Sequence, residues 1–562
     1  MQGSGSIGGM KAGRLWGMSL RTVLAAVRHT PAAGLVVRSL RRDLGVDALG
    51  RLPLEERGRL PNDTYPRRAR PRRERSFPEL GLPRPADWPR SCLAHVEAYQ
   101  QGRVRPESVA EQALARAREL AARAPSLGPL LTCDDERALQ SGRQSGQRYD
   151  ERHPLGPLDG VPLVVKEEVD FEGFSTRVGT AWRPDVPAAQ DAVVVARLRA
   201  AGAVLLGQSP MTEYGLSPLG ANPHRNLPRN PHDPGHLAGG SSTGSAVAVA
   251  TGLVPVALGA DGGGSIRTPA ALNGVFGLKP TYGRIPLVGH GMAWGSSLTH
   301  LGPLGASSAD LAVFTEICSG PDDADPVSRQ QPPFESGELV AAIRRGVAEL
   351  EIGVVEGEWE DADAGVADAG QHALRALESE GARLRPVRIP LAPNAAAIGY
   401  VTIGLEALCG LREAQGHGHE LGPDVQLLLA GLGTFGADEY LDAQRLRETL
   451  RDQVAAALQQ VDLLALPTTA TPAPPVTDAQ ARQGFVDSEA LNAMCRFAFL
   501  ANLTGLPAAS APVGANAQGL PVGLQLVGDA WDEATVLQAL GHLERLEVAR
   551  VRRPDSALAS LV

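Results

Sequence analysis

Near its start the chain places Leu20, Val23, Leu24 and Val27 at helical spacing, with Arg21 and Arg28 on another face. Val36, Val37, Leu40 and Leu44 repeat the pattern, so two short amphipathic helices are predicted. Such helices either pack on the body of a protein or offer a face to a membrane surface or a partner. Residues 107–147 are rich in Ala, Leu, Glu and Arg at helical period. Residues 160–165 read as an apolar strand, 192–201 as a helix and 204–206 as a strand. Further on, 452–460 reads as helix, 463–466 as strand and 468–476 as a Pro/Thr loop. Helices alternating with short apolar strands predict layered α/β architecture. No internal repeat is present.

Residues 237–260 carry no charge, but five glycines, three serines and a proline make a poor lipid-facing helix. A buried helix between two loops fits better. Residues 22–27 are too short for a span or a signal-peptide core. The Arg-rich stretch before Asp43, the first acidic residue, fits an organelle transit sequence and a helical arm equally. Residues 1–9 are Gly/Ser-rich and expected to be disordered.

Composition adds an asymmetry. The 562 residues are 43% hydrophobic and 21% charged, which excludes a disordered chain or a fibre. Of the net −9, the first 85 residues hold 17 basic and seven acidic groups, so they carry +10 and the remainder −19. An acidic body argues against nucleic-acid binding, while the basic arm suits an anionic surface. Residues 61–90, with Arg67, Arg68, Arg70, Arg72, Arg73 and Arg75 among prolines, read as a basic extended linker. The body is expected to begin near Trp88. Three units follow: an arm and linker over 1–90, a catalytic domain over 91–553 and a tail over 554–562. Cys92, Cys133, Cys318, Cys409 and Cys495 share no metal-ligand spacing, which argues against a disulfide framework or zinc and for a reducing, cytoplasmic setting.

The chemistry concentrates in two Gly/Ser segments flanking that uncharged helix: Gly239-Gly240-Ser241-Ser242-Thr243-Gly244-Ser245 and Gly259-Ala260-Asp261-Gly262-Gly263-Gly264-Ser265-Ile266-Arg267. Both are expected to be loops meeting in one cleft. A phosphate-binding loop needs a lysine, and 239–265 contains none. Three glycines before a serine instead allow successive N–H groups to converge on an oxyanion. The serine then needs a base. The 12 histidines form no evident triad motif, although such triads are defined by geometry and stay open. The other base is Lys166, which ends an apolar strand, where burial favours the neutral amine. Taken singly, each serine is better read as a turn hydroxyl and Lys166 as a solvated strand end.

Together these segments resemble the amidase signature enzymes over roughly residues 95–550. The resemblance rests on Gly-Val-Pro-Leu-x-Val-Lys at 160–166, Gly-Gly-Ser-Ser at 239–242, Gly-Gly-Ser-Ile-Arg at 263–267 and Gly-Leu-Lys-Pro-Thr-Tyr-Gly-Arg at 277–284. It continues through Ala-Asn-Leu-Thr-Gly-Leu-Pro-Ala at 501–508 and Gly-Leu-Pro-Val-Gly-Leu-Gln at 519–525. It implies a single α/β/α domain around a large mixed, twisted sheet. It further implies Ser265 as nucleophile, Ser241 as the middle serine joined to Gly240 by a cis peptide bond, and Lys166 as base. Gly262, Gly263, Gly264 and Ser265 would supply oxyanion N–H groups, with Gly215 and Ser241 touching substrate. Lys279 is the rival base and reads as structural. Asp261 and Arg267 read as an ion pair shaping the loop. Thr243 and Ala260 depart from the commoner family residues without removing a catalytic group.

The implied activity is amide hydrolysis, with esters or carbamates by the same acyl-enzyme route and no cofactor or metal. The alternative is the glutaminase subunit of a tRNA-dependent amidotransferase. Thr268, where that subunit typically has Gln, and the presence of Tyr440 alone in 426–440 argue against it. Residues 211–215 and 390–440 are candidate pocket walls. Apolar residues such as Ile398, Ile403, Leu427 and Phe435 suggest a small-molecule amide with an apolar acyl or aryl group. Peripheral membrane contact through the arm and a homodimer both stay open.

Overall fold

A computed structural model describes residues 14–29, 33–52, 58–61, 63, 65–71, 77–83, 90–292, 296–557 and 561–562. The expectations for residues 1–9, the side chains of Val27, Arg28, Val36 and Val37, Arg72, Arg73, Arg75 and Trp88 lie outside the described residues.

Eleven strands form one sheet: β1 (Thr132–Cys133), β2 (Pro162–Lys166), β3 (Val204–Ser209), β4 (Val256–Asp261), β5 (Phe276–Lys279), β6 (His300–Gly305), β7 (Glu351–Val355), β8 (Arg383–Val387), β9 (Leu463–Pro467), β10 (Ala508–Ala515) and β11 (Pro521–Gly528). Their spatial order is β1-β3-β2-β4-β6-β5-β10-β11-β9-β7-β8. The β3-β2-β4 and β9-β7-β8 groups are parallel and the remaining pairings antiparallel, so the sheet is mixed.

Both faces of this sheet are covered, and the strand sequences explain why. Val164, Val204, Leu206, Ala257, Leu463 and Leu526 join one apolar cluster. Their neighbours Leu163, Val165, Leu205 and Leu258 join a second cluster, and Leu464 and Val527 a third. Successive strand side chains point to opposite faces, so near-continuous apolar runs are what a doubly covered sheet requires.

The helices that matter for the site are α1 (Gly17–His29), α2 (Ala33–Asp43), α3 (Pro106–Ala122), α4 (Asp135–Asp150), α5 (Thr243–Ala250), α6 (Arg267–Asn273), α7 (Ala395–Gly410), α8 (Pro423–Leu432), α9 (Ala437–Leu458) and α10 (Phe499–Thr504). The helical run over 107–147 is thus two helices. Pro106 occupies the first turn of α3, and the Asp134 carboxylate caps α4 by accepting from the Arg137 N–H at 3.0 Å. Every residue of α5 is buried, which its Ala, Val, Gly and Ser content permits. Among the described residues no helix is long and apolar enough to cross a membrane.

Two expectations need correction. Residues 259–261 are not loop: Gly259, Ala260 and Asp261 end β4, paired with Gly302, Leu301 and His300. Glycine is depleted in strands, so the local sequence favours a loop here until the partner strand is present. Likewise Thr243, Gly244 and Ser245 already form the first turn of α5.

The arm lies on the body. Leu20 and Leu24 are buried against Leu427 of α8, and Leu15–Trp16 pairs with Phe485–Val486. Its charges find partners there. Arg14 meets Asp487 at 2.8 Å, Arg41 meets Glu439, Arg67 meets Glu448 at 3.0 Å and Arg70 meets Asp462. The anionic surface that suits the basic arm is therefore, in these contacts, the acidic body of the same chain.

Candidate active site

The parallel neighbours β2 and β4 run side by side, with Val165 opposite Leu258, so both end at the same edge of the sheet. That edge receives Lys166, the last residue of β2, and the loop that follows Asp261, the last residue of β4. The segment entering α5 is pinned to this edge by hydroxyls. Ser242 Oγ donates to the Ala260 carbonyl at 3.2 Å, and Ser245 Oγ to the Leu258 carbonyl at 2.9 Å. The Ser242 N–H donates to the Ser265 carbonyl at 3.3 Å, which ties the two Gly/Ser segments together. These neighbouring serines satisfy backbone carbonyls of β4 and so have a structural role, across elements rather than within a turn.

Ser241 is not used that way. Its Oγ accepts from Lys166 Nζ at 2.8 Å, and the Gly240–Ser241 peptide bond is cis. Lys166 is completely buried, and burial lowers its pKa from the ordinary lysine value against the opposing pull of Glu168 and Asp261. Lys166, Ser241, Gly262, Gly263 and Ser265 all line one cleft. Ser265 is only partly buried there, while Ile266 and Arg267 behind it are buried.

The loop after β4 is shaped by one carboxylate. Asp261 Oδ1 accepts from the Gly264 N–H at 2.7 Å, Arg267 Nη2 at 2.9 Å and Asn502 Nδ2 at 2.9 Å. Oδ2 accepts from the Ile266 N–H at 3.2 Å, the Arg267 N–H at 3.4 Å and Arg267 Nε at 3.0 Å. Burial opposes the charge on Asp261, but Arg267, Asn502 and Lys279 hold its carboxyl well below the usual carboxylate range. Arg267 is held in turn by the Ala498 carbonyl, Gln525 Oε1 and Asn502 Oδ1. The expected ion pair is present, and it bends the backbone around itself. Gly264 sits at φ +115°, where a Cβ would fall 2.8 Å from that of Ala498.

This wrapping corrects one expectation. The Gly264 N–H is consumed by Asp261 and is not available to an oxyanion. Among the described residues no hydrogen bond engages the N–H groups of Gly262, Gly263 or Ser265.

Gly215 lies in the cleft wall at φ +65°, where an added Cβ would stand 3.2 Å from Ser241 Oγ. Both predicted wall segments reach the cleft, through Tyr214 and Gly215 and through Tyr400, Ile403 and Ala407 of α7. Lys279 faces away from this chemistry: its Nζ donates to the Leu506 carbonyl at 2.5 Å and the Pro280 carbonyl at 3.1 Å. Among the described residues no serine hydroxyl is hydrogen-bonded to a histidine ring, and no cluster of His, Cys, Asp and Glu has the makings of a metal site.

Asn502, Gln525 and Glu168 escaped the reading of roles. Asn502 and Gln525 stand inside the C-terminal motifs, and a lone amide in an otherwise apolar strand is the signal that marks Gln525. Glu168 was marked only by following Lys166 so closely.

The family model described as Amidase matches residues 109–537. Fatty acid amide hydrolase of Medicago truncatula is 33% identical over 82% of this chain and 77% of its own length. A glutamyl-tRNA(Gln) amidotransferase subunit of Chloroflexus aurantiacus is 34% identical over 83% of this chain and 98% of its own. The solved structure of native peptide amidase from Stenotrophomonas maltophilia aligns with a TM-score of 0.70 at 27% identity, covering 83% of this chain and 99% of that one. With the sheet, the paired Gly/Ser segments and the buried lysine in place, the chain belongs to the amidase signature family.

Proposed function

We propose that the protein is an amidase that cleaves carboxylic amide C–N bonds through an acyl-enzyme on Ser265, with Ser241 and Lys166 completing the relay. The observation carrying this reading is the 2.8 Å contact between the buried Lys166 amine and Ser241 Oγ, in the cleft that Ser265 also lines. Neutral Lys166 takes a proton from Ser241 as Ser241 takes one from Ser265, whose Oγ attacks the amide carbon. The N–H groups of Gly262, Gly263 and Ser265 receive the oxyanion, each well-placed donor being worth ~3 kcal/mol. Collapse returns the proton through Ser241 to the leaving amine. Water then resolves the acyl-enzyme by the same relay.

An apolar acyl or aryl group is the preferred substrate portion. Met292, Ile403 and Phe499 wall the cleft, and Leu216 is shared with a second, largely apolar pocket. Leu40 and Leu44 of the arm help close that cavity. A fatty acid amide hydrolase among the relatives is consistent with this preference. The catalytic domain runs over 91–553 and the arm over 1–90, whose described residues include Leu20 and Leu24 packed against Leu427. Five free cysteines favour a reducing, cytoplasmic setting.

The amidotransferase-subunit reading is weaker. Thr268 Oγ1 donates to the Met494 carbonyl at 3.1 Å, which takes its hydroxyl out of substrate recognition. The test is turnover of aliphatic, aryl and long-chain amides by the isolated chain, with fluorophosphonate labelling of Ser265. Ser265→Ala is expected to lose labelling and turnover together. Glutaminase activity appearing only with partner subunits, or a Ser265→Ala variant near wild type, overturns the reading.

A further inference from the structure

The relay as written leaves one buried charge unexplained. Glu168 is 1% exposed, lines the cleft, and places Oε1 2.5 Å from Lys166 Nζ. The approach is an ion contact rather than an aligned hydrogen bond. A carboxylate this close stabilises the ammonium form of the lysine, which is the form that cannot act as base. A site optimised only for a neutral lysine has no use for it.

The surroundings hold Glu168 in place. Its carbonyl accepts from the Gly291 N–H at 2.7 Å, and Val169 bridges His290 in antiparallel pairing. His290 Nδ1 accepts from the Met292 N–H at 3.2 Å, which puts the ring proton on Nε2, 3.6 Å from Glu168 Oε2. Burial lowers the pKa of His290, with Glu168 and Asp170 opposing and Lys166 assisting. The charged and titratable groups facing this pair are thus Asp261 on the Lys166 side and His290, with Asp170 behind it, on the Glu168 side.

We propose that Glu168 is a positioning residue that seats the Lys166 amine against Ser241 and sets the pH above which that amine is released as a base. While Lys166 is held as the ammonium, Ser241 has no proton acceptor. Loss of one proton from Lys166 Nζ to solvent leaves a neutral amine that stays within reach of Ser241 because the carboxylate has fixed its approach. Glu168 acts on the relay through its contact with the Lys166 amine. The inference rests on Lys166 being the base.

The experiment is the pH profile of the labelling rate of Ser265 by a fluorophosphonate probe, with kcat/KM for an aryl amide alongside. Glu168→Gln removes the charge and keeps the shape, so the lysine loses its proton at lower pH. The acid limb of both profiles is expected to move down by about one pH unit or more, the usual effect of an opposite charge in contact. Glu168→Asp keeps the charge but retracts it, and is expected to move the limb part of the way in the same direction. It decides the matter if Glu168→Gln does not fold. A limb that stays in place while the rate falls, or that moves up, overturns the proposal and leaves a structural role. Lys166→Met is the control for the reading beneath it: if its profile keeps the wild-type limb, Lys166 is not the base, and both fall.

Discussion

Asp261→Asn offers the sharpest test of how the loop is held. The substitution keeps the shape but replaces one acceptor oxygen by an NH2 donor. Each oxygen of Asp261 accepts from three N–H groups. Whichever way the amide is placed, three donors lose their acceptor and face another donor. Arg267, completely buried, also loses its counter-charge. Removing one partner of a buried pair typically costs ~3–5 kcal/mol. The catalytic cost comes on top. The loop amides of Gly262, Gly263 and Ser265 keep their direction only because Gly264 and Ile266 are anchored, and loss of even one oxyanion donor lowers kcat by ~10²–10³-fold. The assay is urea unfolding beside kcat for a soluble aryl amide, with Asp261→Asn/Arg267→Met as the second variant. The double variant leaves neither charge buried alone, so part of the stability is expected to return. The rate is not, because whichever way the amide lies, the N–H of either Gly264 or Ile266 still lacks its acceptor. If Asp261→Asn costs under ~1 kcal/mol and less than tenfold in kcat, well below the cost of breaking a buried pair, the carboxylate does not shape this loop.

Three further outcomes are expected. Lys279→Met should lower the unfolding midpoint and leave fluorophosphonate labelling of Ser265 in place, whereas Lys166→Met should slow labelling severely; the reverse result would make Lys279 the base. Leu44→Trp projects into the second apolar cavity and should raise KM for long-chain amides at least tenfold while changing a short amide less than twofold, and equal effects on both would exclude that cavity as an acyl site. Burial and the neighbouring Glu213 push the Asp424 carboxyl up to about 7. A raised carboxyl pKa means that the native state favours the protonated form, so stability is lost as pH rises from the ordinary carboxylate range of ~4 to about 7. Asp424→Asn should therefore gain on wild type across that window in pH-dependent thermal unfolding, and a constant difference would refute the assignment.

Much of this site was legible before any fold was known. Ser265 and Lys166 stand out as candidates because acyl transfer needs a hydroxyl beside flexible backbone amides and a base whose charge burial disfavours, whereas Ser241 was singled out by the resemblance to the amidase signature enzymes. Those needs restrict residue types over a few consecutive positions, and the sequence records such restrictions directly. The strands β2, β3 and β9 were visible for a similar reason: a strand buried on both faces must be apolar throughout.

What the sequence left open depends on groups far apart in the chain. Glycines 259 and 262 to 264 have the same local freedom, yet pairing with β6 makes the first a strand residue, and the carboxylate of Asp261 bends the others into a loop. That carboxylate claims the Gly264 N–H through a turn whose closure also requires Asn502 and Gln525, more than 200 positions away. The arm posed the same problem. Its apolar spacing suited a membrane or a partner as well as the body, and it is the tertiary structure that seats Leu20 and Leu24 against Leu427, with arginines meeting acidic groups on the body. Local sequence determined the chemistry available at each position. Tertiary structure determined which donors and charges were already satisfied, and therefore which remained free to act.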